Sequence, residues 1–392
     1  MLRLLSGILL VCCWVGDLPA SPQETTRRRA GRHEVALRLP ADGLYAQEEM
    51  EIEFRVVDTS QVDPVLGPTP VVRARIQATI DMPSMPSMPR HEEAAHPEGV
   101  PGEYGVHPTF AHGGEYRMRL AVSPPGEDGF AVEFALNVLD AGGARKRKPG
   151  PRPFSIELAS KPKKPRAGEP ADLEIRVRAR ERPKEAVSAF ELVHEKLLHL
   201  LIVRDDLGYF GHEHPELGPD GVFRLRYRFP AGGQYHLFTD TAPRGFGSQV
   251  MMARLKAEGK AAEPFHLGKA GRDPVKSVEG VQVELAATGS LPAKKTMAIT
   301  FHLKDAATGS AITDLQPYLG AMGHLILVHQ DAVTFVHSHP DERQAGAGRD
   351  GTVPFLVRFP KAGLYRGWTQ FRRNGNILTS DFVVQAVEES AQ

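Results

Sequence analysis

Cysteine is almost absent from this chain of 392 residues. The two cysteines, Cys12 and Cys13, both lie within the first twenty residues. A mature chain without that segment has no thiol, which excludes disulfides, cysteine-based zinc sites and thiol redox chemistry. Any metal chemistry must therefore use histidine, methionine or carboxylate side chains.

An excess of charge of either sign is also missing, because 48 Lys and Arg residues balance 48 Asp and Glu residues. No large field exists to attract nucleic acid or an anionic membrane surface, so we expect neither as a partner. No Ser/His/Asp or paired-carboxylate arrangement stands out in the sequence. We therefore predict no catalytic residues, no organic cofactor site and no enzymatic activity.

Long apolar runs are confined to the amino terminus. Arg3 precedes the apolar run Leu4 to Val15, and the small residue Ala20 follows before a polar stretch. This order is typical of a secretory signal peptide, and the run is shorter than the roughly 20 residues that span a bilayer. We expect residues 1–20 to be a signal peptide and the mature protein to be periplasmic or secreted, with no stable membrane span.

Helical patterns are scarce as well. The chain has 38 Gly and 32 Pro, and its apolar segments mostly alternate with polar residues at period two, as half-buried strands do. The length predicts about three domains of roughly 100 to 150 residues each. The fold class predicted is therefore all-β.

One motif occurs three times with the same spacing. Its copies are Phe110-Ala-His-Gly-Gly-Glu-Tyr116, Phe229-Pro-Ala-Gly-Gly-Gln-Tyr235 and Phe359-Pro-Lys-Ala-Gly-Leu-Tyr365. Glycine permits positive φ, and the tyrosine is placed to form the tyrosine corner of immunoglobulin-like (Ig-like) folds. We predict three tandem Ig-like β-sandwiches at residues 32–140, 153–256 and 278–387, joined by charged, Gly- and Pro-rich linkers.

The second and third units each contain a histidine pattern. One runs from His199 to the sequence His212-Glu-His214-Pro, and the other from His324 to His337-Ser-His339-Pro. In both copies 13 residues separate the first two histidines. The apolar runs on either side of a polar turn predict a β-hairpin in each unit.

If the turns are centred on Asp205-Asp206 and Gln330-Asp331, His199 lies opposite His212 and His324 opposite His337. The third histidine of each copy, two residues further on, projects from the same face. Three imidazoles then converge in each hairpin at distances that suit a metal ion. The predicted ligands are His199, His212 and His214 in the second unit, and Met322, His324, His337 and His339 in the third.

Three further histidines bear on this prediction. His194 and His236 are candidate additional ligands of the second unit. His329 lies an odd number of residues from His324, so it should point to the opposite face of its strand and not bind the metal.

The first unit has a methionine segment in place of the hairpin. Met82, Met85 and Met88 are each followed by proline, a spacing that favours polyproline II and would put all three side chains on one edge. Thioethers select Cu(I) and imidazoles accept copper, zinc or nickel. Copper, as Cu(I) or Cu(II), is thus the predicted cofactor, with zinc as the alternative. An exposed Pro-rich loop with methionine as filler is equally compatible with the segment.

These motifs carry a resemblance to known families. The first unit resembles YtkA-like domains, small exported Ig-like modules with a Met-Pro-x-Met motif, here Met82 to Met85, and a later Gly-x-Tyr strand, here Gly114 to Tyr116. The other two units resemble exported bacterial modules of the His-x-His-Pro type, which often accompany metal-handling systems. The resemblance implies metal or copper binding. From the repeated histidine hairpin we expect the protein to bind metal outside the cytoplasm, either to buffer copper or to hand it over to another exported metal-handling protein.

Two other functions remain open. A structural or adhesive Ig-like array would contain the same sandwiches and no metal. A cupin-type metalloenzyme is suggested by His337-Ser-His339 with Glu342, but the distant second histidine motif of cupins has no good match.

Overall fold

The computed structural model describes residues 26–40, 43–63, 67–140, 153–271, 274–286, 291–338, 340, 348 and 350–388. The predicted signal peptide, most of the first linker and His339 lie outside the described residues. Within these ranges the chain forms thirty β-strands and no helix, as predicted for an all-β protein. No helix in the described ranges has the length and apolarity needed to cross a membrane.

The first unit contains strands β1 to β11. They are β1 (Thr26–Ala30), β2 (His33–Arg38), β3 (Leu44–Tyr45), β4 (Ile52–Asp63), β5 (Gly67–Pro70), β6 (Arg75–Asp81), β7 (His91–Ala94), β8 (His96–Pro97), β9 (Glu103–Val106), β10 (Gly114–Ser123) and β11 (Phe130–Leu139). One sheet has the order β1-β2-β4-β9-β8 with β5 beside β4, and the other has the order β3-β11-β10-β6-β7.

The second unit contains strands β12 to β21. They are β12 (Phe154–Lys161), β13 (Pro170–Ala179), β14 (Arg182–Ala186), β15 (Phe190–Glu191), β16 (Leu198–Arg204), β17 (Phe210–Glu213), β18 (Glu216–Leu217), β19 (Val222–Arg228), β20 (Gly233–Pro243) and β21 (Gln249–Ala257). Its sheets are β12-β13-β19-β18, with β14 beside β13, and β15-β20-β16-β17, with β21 beside β20.

The third unit contains strands β22 to β30. They are β22 (Val275–Val278), β23 (Val281–Ala286), β24 (Leu291–Pro292), β25 (Thr296–Asp305), β26 (His324–His329), β27 (Phe335–Ser338), β28 (Thr352–Arg358), β29 (Gly363–Arg373) and β30 (Asn376–Val387). Its sheets are β22-β23-β25-β28 and β24-β30-β29-β26-β27.

Each unit is an Ig-like sandwich whose two sheets enclose a core of their own. Strand β10 shows the reason, because its residues alternate so that Tyr116, Met118 and Leu120 are buried while those between them are exposed. Such alternation gives a strand one apolar face, which two sheets can bury against each other. The three cores contain, for example, Phe54, Phe223 and Phe301.

The repeated motif forms a tyrosine corner in every unit. The tyrosine hydroxyl donates to the carbonyl four residues upstream, from Tyr116 to His112 at 2.9 Å, from Tyr235 to Ala231 at 2.9 Å and from Tyr365 to Lys361 at 2.8 Å. The glycine two residues before each tyrosine has positive φ: 138° at Gly114, 151° at Gly233 and 135° at Gly363. A side chain is strained in that conformation, which explains why glycine stands there in all three copies.

Candidate metal centre

Both predicted histidine hairpins form, β16 with β17 and β26 with β27, but their register differs from the prediction by two residues. His212 lies opposite Leu201, and His337 lies opposite Ile326. The prediction that His199 opposes His212 and His324 opposes His337 is therefore wrong.

The turns explain the shift. Leu207 and Ala332 adopt positive φ, 61° and 54°, which centres each turn one residue later than expected. A displacement of one residue at the turn moves the pairing by two, so every side chain keeps its predicted face.

Strands β16 and β26 are buried on both faces. Leu200 and Ile202 point into the core of the second unit, whereas Leu201 and Val203 belong to a separate cluster that contains Ile326 and Val328 of the third unit. This cluster joins the two units, with the histidine faces of the two hairpins turned toward each other. The two predicted metal sites are therefore parts of one region between the units.

Aromatic side chains pair across this interface in an approximately twofold arrangement. Phe210 stacks on Trp368 with ring centroids 4.8 Å apart, and Phe335 stacks on Phe238 at 5.0 Å. Phe210 and Phe335 each lie two residues before the middle histidine of their hairpin, and Phe238 and Trp368 each lie three residues after a corner tyrosine. The same surface of each unit thus contacts its counterpart, as in an isologous dimer interface.

The middle histidines follow the same symmetry. Nδ1 of His212 lies 2.6 Å from Oε1 of Gln370, and Nδ1 of His337 lies 2.9 Å from Oδ2 of Asp240. Gln370 and Asp240 both stand five residues after a corner tyrosine. Sequence analysis missed both residues, since nothing in the hairpin pattern indicates that a ligand's partner lies in the other unit.

The first histidine of each hairpin is also held by a protein acceptor. Nε2 of His199 lies 2.8 Å from the carbonyl oxygen of Val193, and Nε2 of His324 lies 2.9 Å from that of Tyr318. Both carbonyls lie six residues upstream, in tight turns formed by Val193 to Lys196 and Tyr318 to Ala321. Because a carbonyl only accepts, Nε2 carries the proton in each ring and Nδ1 is the lone-pair nitrogen.

A metal-sized triad forms in the second unit. His199 Nδ1 lies 3.0 Å from Nε2 of His212 and 3.3 Å from Nε2 of His214. One ligand nitrogen from each of these three residues lies within 4.8 Å of the other two. The structure therefore brings together the predicted ligands of the second unit.

Three more imidazoles surround this triad. The ring of His199 has its centroid 6.4 Å from that of His324, 5.6 Å from that of His337 and 6.2 Å from that of His194. His194 occupies the tight turn before β16 with a φ of 44°, and its amide donates to the carbonyl of Gly99 in the first unit at 3.1 Å. All three units thus contribute to the surroundings of the cluster.

Burial sets the protonation of the cluster. It lowers the pKa of His199 to about 4 and the pKa of both His194 and His214 to about 3. Burial also holds the pKa values of His212 and His324 well below the usual range. The rings of these five histidines are therefore neutral near neutral pH, and neutral imidazole is the form that binds metals.

The remaining predicted ligands have other positions. Met322 packs against the core of the third unit, and His339 lies outside the described residues. Nδ1 of His236 lies 3.3 Å from the sulfur of Met252 and is not part of the triad. As predicted, His329 points to the opposite face, where its ring meets that of Tyr365 at 5.0 Å.

The methionine segment does not adopt polyproline II, so that prediction is wrong. The amide of Met85 donates to the carbonyl of Met82 at 2.9 Å, and the amide of Met88 donates to that of Met85 at 3.0 Å. These bonds define two successive turns, in which proline at the second position fixes φ. Met82 is buried in the core of the first unit, whereas Met85 is exposed, so the three side chains do not share one edge.

Comparisons with known families follow the division into units. The family described as "Domain of unknown function (DUF8832)" matches residues 154–258 and 276–388. The family described as YtkA-like matches residues 34–121, which confirms the resemblance inferred for the first unit. No curated protein matches the chain.

Several solved structures match most of this chain at low sequence identity. The Escherichia coli adhesin FdeC is 13% identical, with 92% of this chain and 98% of that chain covered and a TM-score of 0.21. A bacterial ice-binding adhesin is 8% identical, with 90% and 96% covered and a TM-score of 0.20. Salmonella alpha-2-macroglobulin reacted with methylamine is 12% identical, with 94% and 24% covered and a TM-score of 0.21.

Proposed function

The chain belongs to the DUF8832 family and carries a YtkA-like domain ahead of its two DUF8832 segments, and we propose from the geometry of its histidines that it binds a metal ion, copper, outside the cytoplasm. The site is the imidazole cluster between the second and third units. His199, His212 and His214 supply the ligand nitrogens.

One observation carries this proposal: Nδ1 of His199 lies 3.0 Å from Nε2 of His212, and the other hydrogen bonds of the two rings assign a lone pair to each of these nitrogens. The N–H group of each ring donates to another acceptor: Nε2 of His199 to the Val193 carbonyl, and Nδ1 of His212 to Oε1 of Gln370. Gln370 is held in this orientation by its amide nitrogen, which donates to Thr379 at 3.2 Å. Facing lone pairs repel each other, and a cation between them replaces that repulsion with two bonds.

The distances suit coordination. A usual metal–imidazole distance is about 2.0 Å. At that distance from each nitrogen, the N–metal–N angle would be about 97° for His199 and His212 and about 111° for His199 and His214. These angles lie near square-planar and tetrahedral values. The Val193 carbonyl and Gln370 supply the outer hydrogen bonds that orient His199 and His212, as partners of metal-binding histidines do.

Copper is the ion favoured for such a site. Imidazole accepts copper, zinc and nickel, and nitrogen ligands bind Cu(II) most strongly among the divalent ions of the first transition row. Zinc is the alternative ion. We propose that the protein buffers the metal, or hands it to another exported metal-handling protein, after export directed by residues 1–20.

A structural or adhesive Ig-like array is the second candidate function. The fold itself favours it, since extracellular-type Ig-like repeats are also the architecture of adhesins. At the level of the fold this candidate is at least as well supported as metal binding. In that case the imidazoles serve as buried polar packing between units, and no ion is needed.

Metal titration separates the two candidates. The chain lacking residues 1–20 is titrated with Cu(II) by calorimetry, with nitrogen ligation followed by electron paramagnetic resonance. We expect His214→Ala, a half-buried edge position, to weaken binding more than ~10-fold, and the triple variant of His199, His212 and His214 to alanine to abolish it.

The matched control is His266→Ala, an exposed linker histidine that should bind like the wild type. Circular dichroism checks that each variant folds. Equal copper uptake by the wild type and both cluster variants would leave the structural role as the better explanation.

A further inference from the structure

A second group of metal-ligating side chains lies in the first unit, outside the imidazole cluster. Glu93 is on β7, His96 is on β8, and His107 directly follows β9. One ligand atom from each of the three lies within 4.8 Å of the other two. Neither the methionine segment nor the histidine hairpins include these residues.

The two imidazoles lie side by side. The rings of His96 and His107 are stacked, with centroids 4.7 Å apart and planes 9° from parallel. Their side chains are only 14% and 12% exposed. The stacking therefore holds the two rings side by side within the group.

The carboxylate is oriented by its neighbours. Oε2 of Glu93 lies 3.1 Å from Nε2 of His91 and accepts the backbone amide of His107 at 2.9 Å. Its other oxygen, Oε1, lies 3.9 Å from Nδ1 of His107. One oxygen is thus fixed by the protein, while the other is directed toward the imidazoles, as in carboxylates that bind metals with outer hydrogen bonds.

A glycine makes room for the group. Gly105 lies inside strand β9, and a Cβ atom at that position would come within 1.9 Å of a Glu98 carboxylate oxygen and 3.2 Å of the His96 ring. Glycine weakens a strand interior, so its presence often marks a place that another group must approach closely. Glu98 in turn contacts Nε2 of His96 at 2.8 Å.

We infer that Glu93, His96 and His107 form a second metal site, with two imidazoles and one carboxylate as ligands, that takes a borderline divalent cation such as Zn(II). Two histidines and one glutamate are a known ligand set of zinc sites, and carboxylate makes the set harder than the all-imidazole cluster. This inference does not depend on the proposed function, because the two sites share no ligand.

Zinc titration of four proteins tests it. We expect two equivalents for the wild type, one for Glu93→Gln/His107→Asn, two for His112→Ala and one for the triple alanine variant of the imidazole cluster. His112→Ala is the matched control, an exposed histidine of the same unit. Loss of two ligands should weaken zinc binding at this site more than ~100-fold.

The outcomes are distinct. If Glu93→Gln/His107→Asn binds as much zinc as the wild type, the second site is refuted, whatever the imidazole cluster does. If the imidazole cluster binds no zinc but the second site does, the wild type binds one equivalent and Glu93→Gln/His107→Asn binds none.

A measurement on the wild type avoids the risk that the variant does not fold. Diethyl pyrocarbonate modification, located by peptide mass, should slow about 10-fold at His96 and His107 when zinc is present and stay unchanged at His112. Equal modification with and without zinc would overturn the inference.

Discussion

Acidification should destabilise the metal-free protein at the interface between the second and third units. His199 is fully buried, and its pKa is lowered to about 4 by burial, whereas an imidazole in the unfolded chain titrates near 6.5. Between these values the unfolded chain binds a proton that the folded chain does not. The free energy of unfolding therefore falls as pH falls below about 6.5, and it is insensitive to this group above that pH.

The magnitude follows from the pKa difference. One pH unit within this window corresponds to about 1.36 kcal/mol, so acidification to about pH 5 costs about 2 kcal/mol for His199 alone. His194, His212 and His324 are buried with pKa values lowered in the same direction. They contribute in the same direction, so His199 is one of several groups behind the loss.

Trp368 provides the assay. The sequence has two tryptophans, and the other one, Trp14, lies in the predicted signal peptide. Fluorescence of the chain without residues 1–20 therefore reports on the interface, where Trp368 is buried against Phe210. Urea unfolding of metal-stripped protein from about pH 7.5 to about pH 5 gives the free energy, and His199→Asn should flatten its pH dependence by about 2 kcal/mol.

The exposed His266→Asn is the control and should keep the wild-type dependence. A wild-type free energy that stays constant over this range would refute the claim that neutral imidazoles are buried between the units.

Two further predictions concern single hydrogen bonds. Tyr235→Phe removes the hydrogen bond from the corner tyrosine to Ala231. It should lower the unfolding free energy of the second unit by about 1 kcal/mol in urea titrations and leave copper affinity unchanged. An unchanged unfolding free energy would contradict the stabilising role of the corner. Gln370→Leu removes the hydrogen bond that orients His212 and should reduce copper affinity about 10- to 100-fold by calorimetry, and unchanged affinity would show that the third unit takes no part in orienting the ligands.

The sequence was sufficient to predict the all-β sandwich fold and much of its local structure. The Phe-to-Tyr motif predicted a corner, and all three tyrosines form the same hydrogen bond four residues upstream. Such a bond depends only on nearby residues and on a glycine with positive φ, so a local pattern is enough to identify it. The shared face of the histidines was predictable for the same reason, because it depends on the period of a strand.

The spacing of the histidines does not predict the register of the two hairpins or the contact between them. Register depended on which turn residue adopts positive φ, and Leu207 and Ala332 are unusual choices for that conformation. One feature of the sequence does indicate that the two hairpins are in contact. Residues Leu200 to Val203 and Leu325 to Val328 are apolar at every position. A strand that is apolar on both faces needs a partner beyond its own sandwich.

The paired hairpins make the two units dependent on each other. Alone, each unit would expose the apolar face that forms the interface, including Leu201 and Val203 in the second unit and Ile326 and Val328 in the third. The proposed metal site and the pairing of the units depend on the same contacts, since His337 reaches Asp240 and His212 reaches Gln370 only when the units are docked. A ligand that binds the docked state more tightly than the separated units stabilises that state by mass action. If the proposed site binds copper, copper should therefore tighten the pairing of the units, and separating the units should weaken copper binding.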